Sequence, residues 1–224
     1  MCGRATLSTS PEDLREAFGL RELPELPPRF NIAPTQPIAV IREPHRLELL
    51  RWGLILPGGH RQGARGINVR VESVARAPAY RESFRKRRCL VIVDGFFEWE
   101  RRDKGKQPFV VRREDGKPFA LAGIWERSTT TEGEVVDTCA VITGDAKGAV
   151  AAIHDRMPLI VPATDYARWL DAGEKDLADL LVPTAEALMS YAVSTLVNSP
   201  ANDDPRCIEP VVAGAEINGS LSLF

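Results

Sequence analysis

The chain has 224 residues, 44% of them hydrophobic and 27% charged, with a formal net charge of −2. This composition indicates a soluble globular protein with a real core and excludes a disordered chain, while the four scattered cysteines, with no C-x-x-C pair, argue against a disulfide framework or a zinc site. Because no apolar run is long enough for a membrane helix and no signal peptide is present, we expect a cytoplasmic protein.

The chain begins Met1-Cys2-Gly3-Arg4. Removal of the methionine would leave Cys2 with a free amine and a free thiol. An aldehyde can condense with the amine to a Schiff base, which the thiol closes into a five-membered thiazolidine ring. Unperturbed, these groups titrate at ~8 and ~8.5, so both are usable near neutral pH. Position alone also allows Cys2 to be an ordinary small residue.

Local signals predict the elements of the first quarter of the chain. Ser10-Pro11 and the acids that follow predict a short helix that ends at Gly19. Residues 23–37 contain five prolines, which predicts a long ordered loop. Two short strands joined by a turn at Glu43-Pro44, and then a glycine-rich loop, are predicted at residues 38–41, 47–52 and 53–66.

Residues 67–72 alternate between apolar and polar side chains, which predicts a strand. Asn68, Arg70 and Glu72 would share one face, either exposed to solvent or flooring a polar pocket. A basic helix at 78–88 and a buried strand at 89–93 follow. That strand leads to Glu98, which lies among aromatic residues and either acts as an acid or base with a raised pKa or faces water.

The second half of the chain alternates strands with short helices. We predict a hairpin of residues 109–113 and 119–124, then a buried strand, a short helix leading to His154, another strand and two helices, at 138–143, 146–153, 159–161, 164–170 and 175–181. A single histidine is more often structural than catalytic. The pattern favours one mixed α+β domain, residues 1–224, that is either barrel-like or a sheet sandwich.

Charge is unevenly distributed along the chain. Between Arg51 and Arg88, ten arginines and lysines outnumber two acids, so this segment carries +8 and the remainder −10. Such a segment indicates a localised site for a polyanion. It is equally compatible with a solvated basic face of one helix.

Six motifs occur in order along the chain, namely MCGR, FNIAPTQ, RWGLI, INVRVES, DGFFEW and IHDRMP, followed by VS and VN pairs that end at Asn198. Together they closely resemble the SRAP (SOS response-associated peptidase) family. Members of that family sense abasic sites in single-stranded DNA. The resemblance extends from Cys2 to Asn198 and so covers nearly the whole chain. It implies an α+β fold with a mixed, largely antiparallel β-barrel-like core and short peripheral helices.

The resemblance implies a sensor that crosslinks to abasic sites through a thiazolidine, shielding the lesion during the DNA damage response. Cys2 would be the nucleophile after loss of Met1. Asn68 would hold the open sugar or the new N-terminus, and Arg70 would grip the adjacent phosphate. Glu98 would move protons, also during reversal or self-removal of methionine. His154 would assist opening of the sugar ring or steady the adduct.

The same resemblance implies further contacts with DNA. Arg4 and Thr143 would lie along the DNA backbone, while Pro34 and Trp52 would wedge or stack where bases part. Asp145 departs from the usual family pattern and would place a negative charge near the phosphates. We expect a monomer, nucleoid-associated, with single-stranded DNA as its partner and no cofactor or metal.

Two other functions remain open. Cys2 could be the N-terminal nucleophile of a thiol peptidase or amidohydrolase, with Glu98 or His154 as the base. That enzyme would turn over an added peptide, whereas the abasic-site sensor would form one stoichiometric adduct. Alternatively, the basic segment could bind single-stranded DNA non-covalently, in which case Cys2→Ser would leave binding intact.

Overall fold

The computed structural model of the chain describes residues 2–56, 60–61, 66–103, 105–130, 133–184 and 187–211. The strands within these residues are β1 Ala5–Leu7, β2 Arg29–Ile32, β3 Pro37–Glu43, β4 Arg46–Trp52, β5 Ile55–Leu56, β6 His60–Arg61, β7 Asn68–Arg70, β8 Arg88–Val93, β9 Gly95–Arg101, β10 Lys106–Arg113, β11 Phe119–Thr129, β12 Val135–Asp145, β13 Arg156–Pro158, β14 Ile160–Val161 and β15 Leu188–Ala192. The α-helices are α1 Pro11–Phe18, α2 Val71–Val74, α3 Pro78–Lys86, α4 Gly148–Ala151 and α5 Tyr166–Leu170. Short 3₁₀ helices lie at Ala163–Asp165, Asp179–Leu181, Thr195–Asn198 and Pro205–Cys207. None of the described helices could cross a membrane, for lack of length and apolar character.

Strand β12 closes a five-stranded barrel. It pairs in parallel with β4 and antiparallel with β11, so the order β12, β4, β3, β8, β11 returns to β12. The other three pairings in this ring are antiparallel. The predicted α+β class with a mixed, largely antiparallel barrel is confirmed.

The barrel core is built around β8, in which every residue is buried. Burying one large aliphatic side chain contributes about 1.5–3 kcal/mol, so this apolar run explains why the strand lies at the centre. Gly123 of β11 allows the close approach of its neighbour. A Cβ atom there would lie 2.9 Å from both the Cys89 sulfur and a Val91 methyl group, so only glycine fits.

A second sheet, in the order β15, β10, β9, β1, β2, is antiparallel throughout and begins where the barrel strand β8 ends. Asp94 forms this junction and is 1% exposed. Its carboxylate accepts hydrogen bonds from the Ser8 backbone at 2.7 Å, from the Thr9 hydroxyl at 3.1 Å and from the Thr6 hydroxyl. These bonds fasten the N-terminal strand beside β9 and thereby bring Cys2 close to that strand.

Elements with strong local signals form as predicted. Ser10 caps α1 by accepting a hydrogen bond from the Asp13 backbone at 3.1 Å, and Gly19 ends the helix in a left-handed conformation with φ of 60°. The antiparallel pair β3 and β4 and the basic helix α3 also lie where the sequence places them.

Other predictions were wrong where the element depends on pairing with residues far away in the sequence. Strands β10 and β11 do not form a hairpin, because β10 pairs with β9 and β15 while β11 belongs to the barrel. The strand predicted for 67–72 ends at Arg70, and Glu72 lies in α2. Residues 23–37 include β2, residues 175–181 form only a 3₁₀ turn, and part of the loop 53–66 lies outside the described residues.

Candidate functional site

Cys2 lies at the end of the second sheet, just before β1, and is fully buried. The backbone of Arg4 accepts a hydrogen bond from the Phe97 amide at 3.0 Å, which continues the pairing of β1 with β9 toward the N-terminus. Burial raises the pKa of the Cys2 thiol above its ordinary value, and the charge of Glu98 adds to this effect. Cys2 and Glu98 are therefore within electrostatic reach of each other.

Glu98 is a buried carboxyl group on β9 and is 1% exposed. Burial raises its pKa from 4.5 to about 7, with a further contribution from the charge of Asp155. At neutral pH both the acid and its carboxylate are thus populated. A group in this state can donate a proton in one step and accept one in the next.

Asn68 connects strand β7 directly to the N-terminal segment. Its Nδ2 donates a hydrogen bond to the Cys2 carbonyl at 2.6 Å. Its Oδ1 is buried and has no hydrogen-bond partner among the described residues. Oδ1 of Asn68, next to Cys2, can therefore accept a hydrogen bond from a donor outside the described residues, such as a bound ligand.

Strand β7 is held by β12, which pairs with it in parallel. In this register Asn68 is opposite Val141 and Arg70 is opposite Thr143. Arg70 is exposed, whereas Thr143 is fully buried and its hydroxyl has no partner in the part of the chain that the structure describes. The site thus has an exposed cation at one end and buried polar groups at the other.

His154 follows helix α4, and Asp155 next to it is close enough to Glu98 for its charge to act on the pKa of that carboxyl group. Its Nδ1 accepts a hydrogen bond from the Arg156 amide at 2.9 Å. Burial lowers the pKa of the imidazole, although Asp155, whose Oδ1 is 2.8 Å from Nδ1, opposes this shift. The contact with Asp155 is an ion pair only when the ring is protonated, and the lowered pKa favours the neutral ring at neutral pH.

Two of the predicted DNA contacts have different surroundings from those expected. Trp52 is fully buried, and its indole nitrogen donates to the Ile67 carbonyl at 3.1 Å. A ring with no exposed face cannot stack on a base, so the role predicted for Trp52 was wrong and the residue belongs to the core. Arg4 is bound by protein oxygens, with its Nη1 2.7 Å from Asn31 Oδ1. Pro34 is partly exposed in the turn after β2.

The basic segment 51–88 is divided by the fold. Arg88 is 4% exposed and donates to the Phe84 and Trp169 carbonyls, while Arg87 forms an ion pair with Glu126 at 2.7 Å. These two cations stabilise the protein and are not free for a polyanion. Among the described side chains of this segment, the exposed cations are Arg51, Arg70, Arg76, Arg81, Arg85 and Lys86.

Arg156 also contributes to the site, although the sequence did not predict a role for it. Its guanidinium bonds Glu72 at 2.5 and 3.0 Å, Asp145 at 2.8 Å and the Thr143 carbonyl at 2.7 Å. It therefore joins α2, β12 and β13, and it bonds the carbonyl of Thr143, the residue opposite Arg70 in the register. Its position two residues after His154 in IHDRMP was the available signal. Asp145, predicted to lie near phosphates, is paired with this arginine.

The sequence as a whole matches the family described as SOS response associated peptidase (SRAP) over residues 1–200. The chain belongs to the SRAP family. Among its relatives, the abasic site processing protein YoqW of Bacillus subtilis is 38% identical over 222 residues, which cover 93% of this chain and 99% of YoqW. The abasic site processing protein YedK of Escherichia coli is 30% identical over 230 residues, which cover 94% and 100% of the two chains.

Similarity extends to a vertebrate protein and to solved structures. The abasic site processing protein HMCES of Xenopus tropicalis is 28% identical over 277 residues, covering 99% of this chain and 82% of HMCES. A crystal structure of a Bordetella bronchiseptica protein has a TM-score of 0.75 at 26% identity, covering 86% of this chain and all of the other. A Bacteroides thetaiotaomicron protein has a TM-score of 0.84 at 23% identity, covering 94% and 100%, and confirms the fold.

Proposed function

We propose that this SRAP protein recognises abasic sites in single-stranded DNA and forms a covalent thiazolidine with them through Cys2, after Met1 has been removed. The observation that carries the proposal is the 2.6 Å hydrogen bond from Asn68 to the Cys2 carbonyl, next to a buried carboxyl group whose pKa is raised to about 7. The names of the curated relatives supply the substrate, an abasic site. The adduct would shield the lesion during the DNA damage response.

The chemistry needs one proton donor and one proton acceptor in sequence. The Cys2 amine adds to the aldehyde carbon of the ring-opened abasic sugar, and loss of water gives a Schiff base. Glu98 in its acid form donates the proton that leaves with the water. The Cys2 sulfur then adds to the same carbon, its proton passes to the Glu98 carboxylate, and the thiazolidine ring is closed. Glu98 is restored, and water is the only other product.

Burial of both groups favours this sequence of steps. The raised pKa of Cys2 keeps its sulfur as a thiol, so a base must remove the proton when the ring closes. Glu98 lies close enough for its charge to act on that thiol. The buried Oδ1 of Asn68 can accept a hydrogen bond from the new amine and orient it toward the aldehyde.

We assign the DNA-binding role to the exposed end of the site. Arg70 is exposed and is placed to pair with a phosphate next to the lesion. Thr143, opposite it in the register, is fully buried, so its hydroxyl belongs to the interior of the site and not to the face that would meet the DNA backbone. His154 would donate to the opened sugar or to its phosphate, and Pro34 would separate neighbouring bases. We expect the protein to bind as a monomer.

Intact-mass spectrometry of the purified protein, before and after incubation with a single-stranded oligonucleotide that carries one abasic site, tests the proposal. The expected result is loss of Met1 and one denaturation-resistant adduct per protein, less one water, absent from Cys2→Ser. Absence of the adduct in a protein whose Met1 has been removed would refute it. Turnover of a peptide instead would support the thiol peptidase, and unchanged DNA binding by Cys2→Ser without any adduct would support non-covalent binding.

Two finer activities are proposed for the same carboxyl group. Glu98 could assist the protein in removing its own Met1, and it could reverse the adduct by returning a proton to the thiazolidine sulfur. The Glu98→Gln variant tests both in the same mass spectra. Retention of Met1 would support self-removal, and a purified adduct that no longer dissociates would support reversal. Wild-type behaviour in the variant would contradict both activities.

A further inference from the structure

Arg4 lies two residues after Cys2, and protein oxygens bind its guanidinium. Nη1 donates to Asn31 Oδ1 at 2.7 Å and to the Val197 carbonyl at 2.6 Å. Nη2 donates to the Asn198 carbonyl at 3.4 Å. Since these bonds use most of the outer edge of the guanidinium, Arg4 is committed to the protein in this conformation.

The two carbonyls belong to residues 194–203, which we call the C-terminal segment, and this segment is itself fixed to β2. Nδ2 of the fully buried Asn31 lies 2.6 to 3.2 Å from three carbonyl oxygens of the segment. The carboxylate of Asp203 accepts from the Phe30 and Asn31 amides at 2.6 and 2.9 Å and also pairs with Arg29. Arg4 therefore bonds to a rigid partner rather than to a loose loop.

Trp99 on β9 completes the enclosure of Arg4. Its indole nitrogen donates to Asn198 Oδ1 at 2.7 Å, and the centre of the Arg4 guanidinium is 5.9 Å from the centroid of its ring. A cation over an indole face is attracted by the ring quadrupole. Trp99 follows Glu98 directly in the chain, so the same strand that carries the buried acid also holds Arg4.

The backbone of Arg4 is fixed as firmly as its side chain. Its carbonyl accepts from the Phe97 amide at 3.0 Å, and Ala5, the next residue, pairs with Phe96 on one side and Ile32 on the other. Cys2 is thus joined to an immobile point through Gly3 alone. Two residues of chain span at most about 7 Å, so the position of Arg4 limits where the Cys2 amine and thiol can be.

We infer that Arg4 is a positioning residue, which holds Cys2 against Glu98 and Asn68 through the C-terminal segment, and that it is not a contact to the DNA backbone. The inference rests on the proposed function and replaces the role that the sequence predicted for Arg4. It also gives the C-terminal segment a part in the reaction, although no side chain of that segment would touch the substrate.

The test separates the rate of the covalent step from DNA binding. Adduct formation by Arg4→Ala and Arg4→Lys is followed over a range of concentrations of the abasic oligonucleotide, which gives a maximal first-order rate and a half-saturating concentration. Binding to an oligonucleotide with a tetrahydrofuran residue, which lacks the aldehyde, is measured against salt. Arg42→Ala is the matched control, since Arg42 is also half-buried, bonds two carboxylates and stacks on a tryptophan, at 4.3 Å, but lies on β3 away from Cys2.

A misplaced nucleophile lowers the rate steeply, so we expect Arg4→Ala to reduce the maximal rate about ten- to a hundredfold. Half-saturation and the salt slope should stay unchanged. Arg4→Lys should recover part of the rate, because an ammonium group can donate to the same carbonyls. If Arg4→Ala does not fold, the maximal rate and the salt slope of Arg4→Lys test the inference. Arg42→Ala should keep both parameters while losing thermal stability.

A shallower salt slope with a retained maximal rate would identify Arg4 as a phosphate contact and overturn the inference. An unchanged rate in both Arg4 variants would overturn it as well. If the wild type itself forms no adduct, the proposed function fails and the inference fails with it. If the wild type crosslinks and only the Arg4 result is negative, the proposed function stands without the inference.

Discussion

The buried carboxyl group of Glu98 leads to a quantitative prediction about stability. Burial raises its pKa from 4.5 to about 7, so between these values the folded protein keeps a proton that the unfolded chain has lost. The folded state therefore binds more protons than the unfolded state in this window, and stability falls as pH rises. At 1.36 kcal/mol per pKa unit, the contribution is about 3 kcal/mol, fully present below pH 4.5 and lost as pH rises through 7.

The Glu98→Gln variant keeps the shape of the side chain and cannot ionise. Relative to the wild type, its free energy of unfolding should therefore increase by about 2–3 kcal/mol between roughly pH 5 and pH 8. Urea unfolding of both proteins at the two pH values measures this difference, and the contributions of all other groups cancel. Glu100→Gln is the control, since it removes the same charge two residues away, where the side chain is 33% exposed and pairs with Arg102.

Stabilities of the wild type and Glu98→Gln that run parallel over this range would show that Glu98 does not hold a proton in the folded protein near pH 7. The carboxyl group could then not supply the proton for loss of water, and the proposed proton transfers would be refuted. A pH-dependent difference of the same size in Glu100→Gln would instead assign the effect to the strand as a whole.

Three further substitutions test other parts of the site. Asn68→Ala should slow adduct formation at least tenfold, because Asn68 bonds the Cys2 carbonyl, and adduct formation at the wild-type rate would contradict this role. Thermal unfolding should be nearly unchanged, because Asn68 is partly exposed. Arg70→Ala should weaken binding to an intact strand and reduce the salt slope by about one, whereas Arg76→Ala, at another exposed position, should have less effect; equal slopes in the two variants would remove Arg70 from the phosphate contacts. Trp52→Ala should cost about 3–5 kcal/mol in urea unfolding because Trp52 is fully buried, and lost DNA binding at unchanged stability would restore its predicted stacking role.

The fold could be predicted where the signal is local. The Ser10 cap and Gly19 fix α1, and the turn after Glu43 fixes the pairing of β3 with β4. The partners of β10 and β11 could not be predicted, because pairing depends on strands far away in sequence, such as β15 for β10. Alternation at 67–72 could not reveal that the strand ends at Arg70, nor that Glu72 lies in α2 and pairs with Arg156, 84 residues further along the chain.

Prediction of the site depended on the family resemblance, which is carried by motifs and not by contacts. It led to Cys2, Asn68 and Glu98, which the structure brings together, although their roles remain proposals. It could not show that Trp52 is buried, because a tryptophan beside a basic segment has the same sequence signature in the core and on a DNA-binding face. The bonds of Arg4 to residues near position 197 join the two ends of the family match and have no local signal.

Strand β12 belongs both to the barrel and to the site, because it pairs with barrel strands and with β7. β12 is paired along both edges, by β4 and β7 on one and by β11 and β13 on the other, so its amide hydrogens should exchange with solvent only through global unfolding. β7 pairs with no described strand except β12 and could detach while the barrel stays closed. Asn68 and Arg70 therefore lie on a strand that can separate from the sheet at a lower free-energy cost than the barrel strands. Strand β12, with which they pair, should open only when the whole protein unfolds.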